Sequence, residues 1–212
     1  MVGFYVDIPS KALRFGDVVR GFTAATPTID KPSVSVIQDY SLKIINPSYL
    51  AILSPCCSIS DKMISLAPLV LIPGKLFRNP YFSEDLTNIN REMEPQQSVS
   101  EDIWNQLGNE EKEKRLASGK GYAFTDYFIY DKHDLLSKYP IHRKEGNIEL
   151  NSYMIDFRQI FQVSCSSVLS PSDSPLDAKY LELSIQARQE LRDKIAKYFS
   201  RVPLEDQEAI TA

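Results

Sequence analysis

The chain contains no apolar run long enough to cross a membrane: its longest, residues 66–73, holds eight residues, against the roughly 20 a spanning helix needs. Its opening, Met1-Val2-Gly3-Phe4-Tyr5-Val6-Asp7, puts no basic segment ahead of an apolar one, so no signal peptide is expected. Cysteine is scarce. The three present, Cys56, Cys57 and Cys165, are an odd number with two adjacent, which fits no closed disulfide framework and is read as reduced thiols in a cytosol. Histidine is scarcer, with His133 and His142 alone, and no Cys-x-x-Cys spacing occurs, so neither a metal nor a cofactor is expected. Positive charge is not in excess: 24 Lys and Arg against 28 Asp and Glu give a net charge of −4. That supplies no global basic field for nucleic acid, although a local basic patch could still contact RNA. These absences lead to the expectation of a soluble, cytoplasmic protein with no membrane partner.

What is present is an ordinary globular composition, 43% hydrophobic and 25% charged over 212 residues, a length that suits a single domain carrying an insertion. Gly16-Asp17 ahead of Val18-Val19 reads as a turn feeding a strand. Residues 26–32, with Pro27 and Pro32, read as a loop, and 33–45 as a strand or hairpin bending near Gln38-Asp39. Residues 49–54 are an apolar run bounded by Pro47 and Pro55, the length of a buried central strand. Its expected partner is 63–72, where Pro68 marks an edge or bulge. The aromatic-rich 122–130 favours strand. In 151–163, Tyr153, Ile155 and Phe157 alternate with Met154, Asp156 and Arg158, a half-buried strand pattern. The serine-rich 164–174 reads as turn.

Between Pro73 and Gly121 charged and amide residues dominate. Ser100-Glu101-Asp102 ahead of Ile103, Trp104 and Leu107 predicts a capped helix start. Asn109–Ala117 carries mixed charge at helical spacing and predicts a solvent-facing helix, closed by Gly119 and Gly121. The 73–121 block is therefore expected as a helical insertion rather than a domain with its own core. Leu191, Ile195, Tyr198 and Phe199 recur at spacings of three, four and seven. With Ser184 as a possible N-cap and Pro203 as a stop, they predict a closing amphipathic helix over 184–202. The expected fold class is mainly β with α (α+β): a small barrel, a helical insertion and one C-terminal helix.

Several segments carry a resemblance. Arg14-Phe15-Gly16-Asp17-Val18-Val19 resembles the Arg-x-Gly-Asp-Ile/Val opening of a group of uncharacterised bacterial proteins, and Leu53-Ser54-Pro55-Cys56-Cys57-Ser58-Ile59 resembles their Leu-Thr/Ser-x-x-Cys-Asp-Ile segment. Residues 153–158 and 197–203 resemble their Val-Asp-Phe strand and closing helix. The order Gly-Asp-Val-Val, apolar strand, Ala67-Pro68 strand and late Ile155-Asp156 strand is similar to the MazF/PemK family, whose fold is an SH3-like barrel. That resemblance implies metal-free cleavage of single-stranded RNA by an arginine beside a proline and a hydroxyl after the Ala-Pro strand. A fixed cation there would stabilise charge developing on the phosphate. At the corresponding positions this chain has Asn46-Pro47, which brings no charge, and Leu69-Val70-Leu71, which brings no hydroxyl. The resemblance thus implies a scaffold without its catalytic pair.

Other groups that could carry chemistry each have a bland alternative. Cys56 and Cys57 could supply a nucleophile, which wants a nearby base, or could be small buried residues; Ser58 stands where the resembling proteins have Asp. Arg14 and Asp17 could belong to a site or could fix a turn. His142, Arg143 and Lys144, beside Lys138 and Tyr139, form the best basic-aromatic patch for phosphate, or a solvated hairpin tip. Trp104 and Leu107 on the insertion, together with the closing helix, are the candidate partner-binding surfaces. The function expected is a non-catalytic, MazF-like module that binds another protein, a regulator in a bacterial stress or phage-defence system. The alternative is a toxin-like endoribonuclease or cysteine-dependent hydrolase centred on the Cys56-Cys57 loop, with Cys57, Arg14, Asp17 and Asn46 as its candidate groups.

Overall fold

The computed structural model describes residues 3–21, 23–31, 39–55, 63–143, 146–164 and 179–200. In chain order the strands are β1 (Val18–Val19), β2 (Ala24–Lys31), β3 (Asp39–Ile45), β4 (Leu50–Ile52), β5 (Met63–Pro68), β6 (Val70–Leu71), β7 (Tyr127–Tyr130), β8 (Tyr139–Arg143), β9 (Gly146–Leu150), β10 (Tyr153–Asp156), β11 (Phe161–Ser164) and β12 (Lys179–Leu181). The helices are α1 (Pro80–Glu84), α2 (Glu101–Gln106), α3 (Asn109–Ala117) and α4 (Ile185–Phe199). The architecture is mixed α+β with antiparallel pairing. It divides into two compact units, one built from residues up to Val70 together with 158–185, the other from 71–157 and the residues from Gln186 onward.

The first unit is organised by a five-stranded sheet of order β11-β5-β4-β1-β12. The apolar run between the prolines becomes the central strand β4, every residue of which is buried. It pairs with β1 on one side (Val18 opposite Ala51) and with β5 on the other (Leu50 opposite Pro68). Val19, Leu50, Ile52, Ile64 and Leu66 form the core, with Leu13 and Val163 packed against it. Pro68 is the last residue of β5, where a missing N–H costs no ladder bond. Among the described residues the pairing does not close into a barrel, since β11 and β12 remain the outer strands.

Two expectations for this unit are corrected. Residues 26–31 are not loop: they belong to β2, which forms a two-stranded ribbon with β3, Pro27 standing opposite Leu42. A ribbon of two strands has a bonded edge and an unbonded edge, so proline is tolerated there as it would not be in a sheet interior. The alternating 151–163 is not one strand but two. β10 ends at Asp156, Phe157-Arg158 turns, and β11 begins at Phe161, so β10 and β11 lie in different sheets. Pro32 of the expected loop, residues 33–38 of the expected hairpin and residues 165–174 of the expected turn lie outside the described residues; Ser164, the first residue of that turn, instead ends β11.

The second unit holds a three-stranded sheet of order β6-β10-β7 and the hairpin β8–β9. β7 is shorter than the aromatic run suggested. Phe124 sits ahead of it, packed at 5.8 Å from Phe82 and 6.1 Å from Tyr127. The helical block is tied to β7 by one buried amide: Asn90 Nδ2 donates to the Ile129 carbonyl at 2.8 Å, and the Ile129 N–H donates to Asn90 Oδ1 at 2.7 Å. The side chain thereby imitates a neighbouring strand. Tyr139 does similar service on β8, its hydroxyl accepting from the Ile72 N–H at 3.0 Å and donating to the Ser152 carbonyl at 2.6 Å. Burial pushes that phenol up to about 12.

The closing helix, expected over 184–202, spans Ile185–Phe199, and residues 201–203, with the expected proline stop, lie outside the described residues. Its buried face runs through Ala187, Leu191 and Lys194 and on to Tyr198, whose ring lies 5.5 Å from that of Phe157. Phe199, expected on that face, is 67% exposed, because a 100° step carries it past the apolar stripe.

Replacing Asn90 by Ala should cost about 2–4 kcal/mol of stability, since it leaves both polar groups of buried Ile129 without partners. Urea unfolding checks this; a loss below about 1 kcal/mol would mean that water replaces the amide.

Candidate functional site

The turn before β1 is fixed from within. Gly16 adopts φ +86°, a conformation side chains rarely take, and this aims Asp17 inward. The Asp17 N–H donates to the Arg14 carbonyl at 3.1 Å, and the Arg14 N–H donates to Asp17 Oδ2 at 2.8 Å. The same turn joins β4, through Gly16 N–H to the Ile52 carbonyl at 2.7 Å and Ile52 N–H to the Asp17 carbonyl at 2.9 Å.

Lys179, at the start of β12, reaches this turn. Its ammonium lies 2.8 Å from Asp17 Oδ2, 2.8 Å from Glu182 Oε2 and 2.8 Å from the Ala12 carbonyl, so its three N–H donors each have a partner. The side chains of Asp17 and Lys179 are 0% and 2% exposed. Glu182 Oε2 also accepts from the backbone and hydroxyl of Ser10, at 2.7 and 2.9 Å, while Oε1 lies 3.5 Å from Arg14 Nε.

The two carboxyls titrate in opposite directions. Burial raises Asp17 to about 6, although the Lys179 hydrogen bond and charge and the Arg14 N–H pull it down. Its second oxygen, Oδ1, is buried with no hydrogen-bond partner among the described residues. Burial would raise Glu182 as well, but the hydrogen bonds from Lys179 and from Ser10, together with the Lys179 charge, hold it down at about 2. The first proton taken up by the cluster therefore goes to Asp17, near pH 6. Arg14 and Asp17, candidates for catalysis, are thus joined in a structural network.

The remaining candidates are dispersed. Asn46 is exposed just beyond β3, its Oδ1 accepting from the Thr23 hydroxyl at 2.8 Å. Cys56 and Cys57 lie outside the described residues, as does Lys144. On the β8–β9 hairpin, His142 is exposed and pairs through Nδ1 with Asn147 Oδ1 at 2.7 Å. Arg143 stacks 5.0 Å above the Phe77 ring and donates to the Ser83 hydroxyl at 3.1 Å. His133 serves its own turn, Nδ1 accepting from the Leu135 N–H at 3.1 Å.

Trp104 has a different setting. It is half-buried on α2 and lines a cleft of about 310 Å³ with Asn79, Pro80, Tyr81, Gln97 and Glu101. The floor is held by closed bonds. Asn79 Oδ1 accepts from the Tyr81 N–H at 3.0 Å, Asn79 Nδ2 donates to the Gln97 carbonyl at 2.9 Å, and Gln97 Oε1 accepts from the Glu94 N–H at 3.0 Å. Among the described residues, the Trp104 indole N–H and the Tyr81 hydroxyl have no hydrogen-bond partner. Leu107 caps the C-terminal end of α2, half-buried.

A second cleft, about 560 Å³, runs along α4 and is lined by Asn90, Arg91, Tyr122, Glu190, Asp193 and Lys197. Arg91 and Glu190 pair across it at 2.9 Å. Beneath it lies Lys194, fully buried, its ammonium bonded to the Ile89 carbonyl and 5.1 Å from the Tyr122 ring centre. No carboxylate pairs with it among the described residues, and burial lowers it to about 7 against a weak opposing pull from Asp126. The sequence pattern missed this lysine because it assigned the inward face to Ile195.

Among the described residues no group of three or more His, Cys, Asp or Glu is placed to hold a metal ion, and no helix is long and apolar enough to cross a membrane. The chain matches no protein-family model, no curated protein and no solved structure.

Asp17 is raised in the folded state from 3.8 to about 6, so its contribution to stability falls as pH rises through that window. Between pH 4 and pH 7 the wild type should lose about 2 kcal/mol relative to an Asp17→Asn variant. Urea unfolding at the two pH values checks this, and parallel behaviour of the two proteins would contradict it.

For Lys194, lowered from 10.5 to about 7, the unfolded chain binds the extra proton, so stability rises with pH across that range. Lys194→Met should therefore stabilise most at or below pH 7, its advantage shrinking by about 1.4 kcal/mol per pH unit up to pH 10. A pH-independent difference in thermal unfolding would rule out a buried, uncompensated ammonium.

Proposed function

We propose that the chain is a non-catalytic module that binds another protein through the Trp104 cleft. The observation that carries this reading is a contrast in how side chains are used. Asp17 is buried against Lys179 and Arg14 is tied to it through its backbone N–H, its half-exposed guanidinium lying 3.5 Å from Glu182, whereas the sole tryptophan lies half-buried in a cleft beside Tyr81. Tryptophan and tyrosine in partly desolvated pockets are the residues on which protein interfaces concentrate their binding free energy. The finer scaffold reading, a MazF-like barrel reused without its chemistry in bacterial stress or phage defence, belongs to the same proposal. Its support is that Asp17-Val18-Val19, Leu50–Ile52 and Ala67-Pro68, three of the segments in the resemblance, fall on three adjacent strands, β1, β4 and β5. The fourth, Ile155-Asp156, pairs with β7 in the other unit.

The purified chain should leave single-stranded RNA intact, and a Cys57→Ala variant should behave as wild type. A displayed random-peptide library selected on the full chain should give binders whose affinity drops roughly tenfold or more on Trp104→Ala. RNA cleavage lost on mutating Cys57, Arg14 or Asn46, or a library with no binder that depends on Trp104, would overturn the proposal.

A further inference from the structure

Resting on the protein-binding reading, we infer that the Trp104 cleft takes an extended, proline-containing peptide segment that carries a lysine or arginine. Three properties of the cleft select this occupant. Its walls include Trp104, Tyr81, Pro80 and Val99, flat and apolar surfaces of the kind that prolyl rings pack against. Its hydrogen-bonding capacity is uneven. Between the aromatic walls, Asn79 Oδ1 and Gln97 Oε1 already accept backbone N–H groups, while the Trp104 N–H and the Tyr81 O–H are unpaired donors among the described residues; the other side-chain acceptors of the lining, on Gln96 and Glu101, belong to exposed residues.

A ligand that suits unpaired donors has free carbonyls and few N–H groups. A helix spends its carbonyls internally. An added strand needs a sheet edge, and the segments lining the cleft, 79–81, 96–97, 99, 101 and 104, contain no strand. A polyproline II segment has a fully solvated backbone, and each proline removes a donor. Charge supplies the third property: Glu101 is the one charged residue in the lining, no cation pairs with it among the described residues, and Asp102 follows it. A basic side chain on the ligand complements that rim.

The test uses the full chain and fluorescein-labelled peptides, read by fluorescence polarisation. The peptide Arg-Pro-Pro-Ala-Pro-Pro-Ala-Arg should bind saturably, and replacing its prolines by alanine should weaken binding tenfold or more. Trp104→Ala should abolish binding, and Trp104→Phe should keep most of it. Glu101→Lys, at an exposed position that leaves the fold alone, should reverse the preference toward a peptide with Glu in place of Arg. Equal affinity for the proline and alanine peptides, or binding indifferent to Trp104 and Glu101, overturns the inference. If the proline peptides fail while library binders still depend on Trp104, only the occupant is wrong. If no peptide of any kind depends on Trp104, the protein-binding reading falls with it.

Discussion

One ammonium group, that of Lys179, holds two buried carboxylates and a carbonyl at 2.8 Å each, and the arrangement of the first unit depends on it. Ser10, Ala12, Arg14 and Asp17 come from the N-terminal stretch, Glu182 from just beyond β12, and Lys179 from β12 itself. A single cation therefore fastens both chain segments that flank β1. Burying such a group is expensive unless every donor is met, and here every donor is met. The unequal fates of the two acids follow from the same geometry. Glu182 accepts in addition from the Ser10 N–H and O–H, whereas Asp17 Oδ1 has no hydrogen-bond partner among the described residues, so the uncompensated cost of burial falls on Asp17.

Within that network the buried charges of Asp17 and Lys179 face one another, while the Arg14 guanidinium stays half-exposed. The second unit buries a lysine on other terms. Lys194 has one carbonyl and the face of a tyrosine ring but, among the described residues, no carboxylate partner, so its charge is disfavoured where that of Lys179 is retained. The helical block differs again: there a tryptophan and a tyrosine line a cleft in which the Asn79 and Gln97 amides are already hydrogen-bonded.

Much of this was legible in the sequence where local pattern and tertiary role agree. The apolar run between Pro47 and Pro55 became the central strand, Gly16-Asp17 became the turn, and Asn109–Ala117 became a helix with those bounds. Pattern failed where long-range partners rule. Proline argued for a loop at 26–31, yet a ribbon of two strands tolerates it. Alternation over 153–158 was carried on to 163, past the point where Arg158-Gln159 and Ile160-Phe161 break it, which is where the chain turns between β10 and β11. Trp104 was found as a binding candidate from its place, with Leu107, on the helical insertion, but Tyr81 and Pro80 beside it in the cleft were not. Lys179 and Lys194 had no signal at all, because a lysine in a polar window or on a helix reads as solvated until the residues around it are known. Arg14 and Asp17 were found, but their neighbours in the network, Ser10 and Glu182, stand 170 or so positions apart in the chain, as the 172-residue separation of their hydrogen bond shows.

A double-mutant cycle between Asp17→Asn and Lys179→Met, followed by urea unfolding at pH 7, tests most directly whether the ammonium is what fastens this unit. Circular dichroism is the appropriate probe, since Trp104 fluorescence reports on the other unit. An integrated pair should show a coupling of about 2 kcal/mol, with Lys179→Met alone costing about 3–5 kcal/mol because it strands two buried carboxylates. Additive effects, with a coupling under about 0.5 kcal/mol, would show that the two residues stand independently and that Arg14 and Asp17 are free for another role.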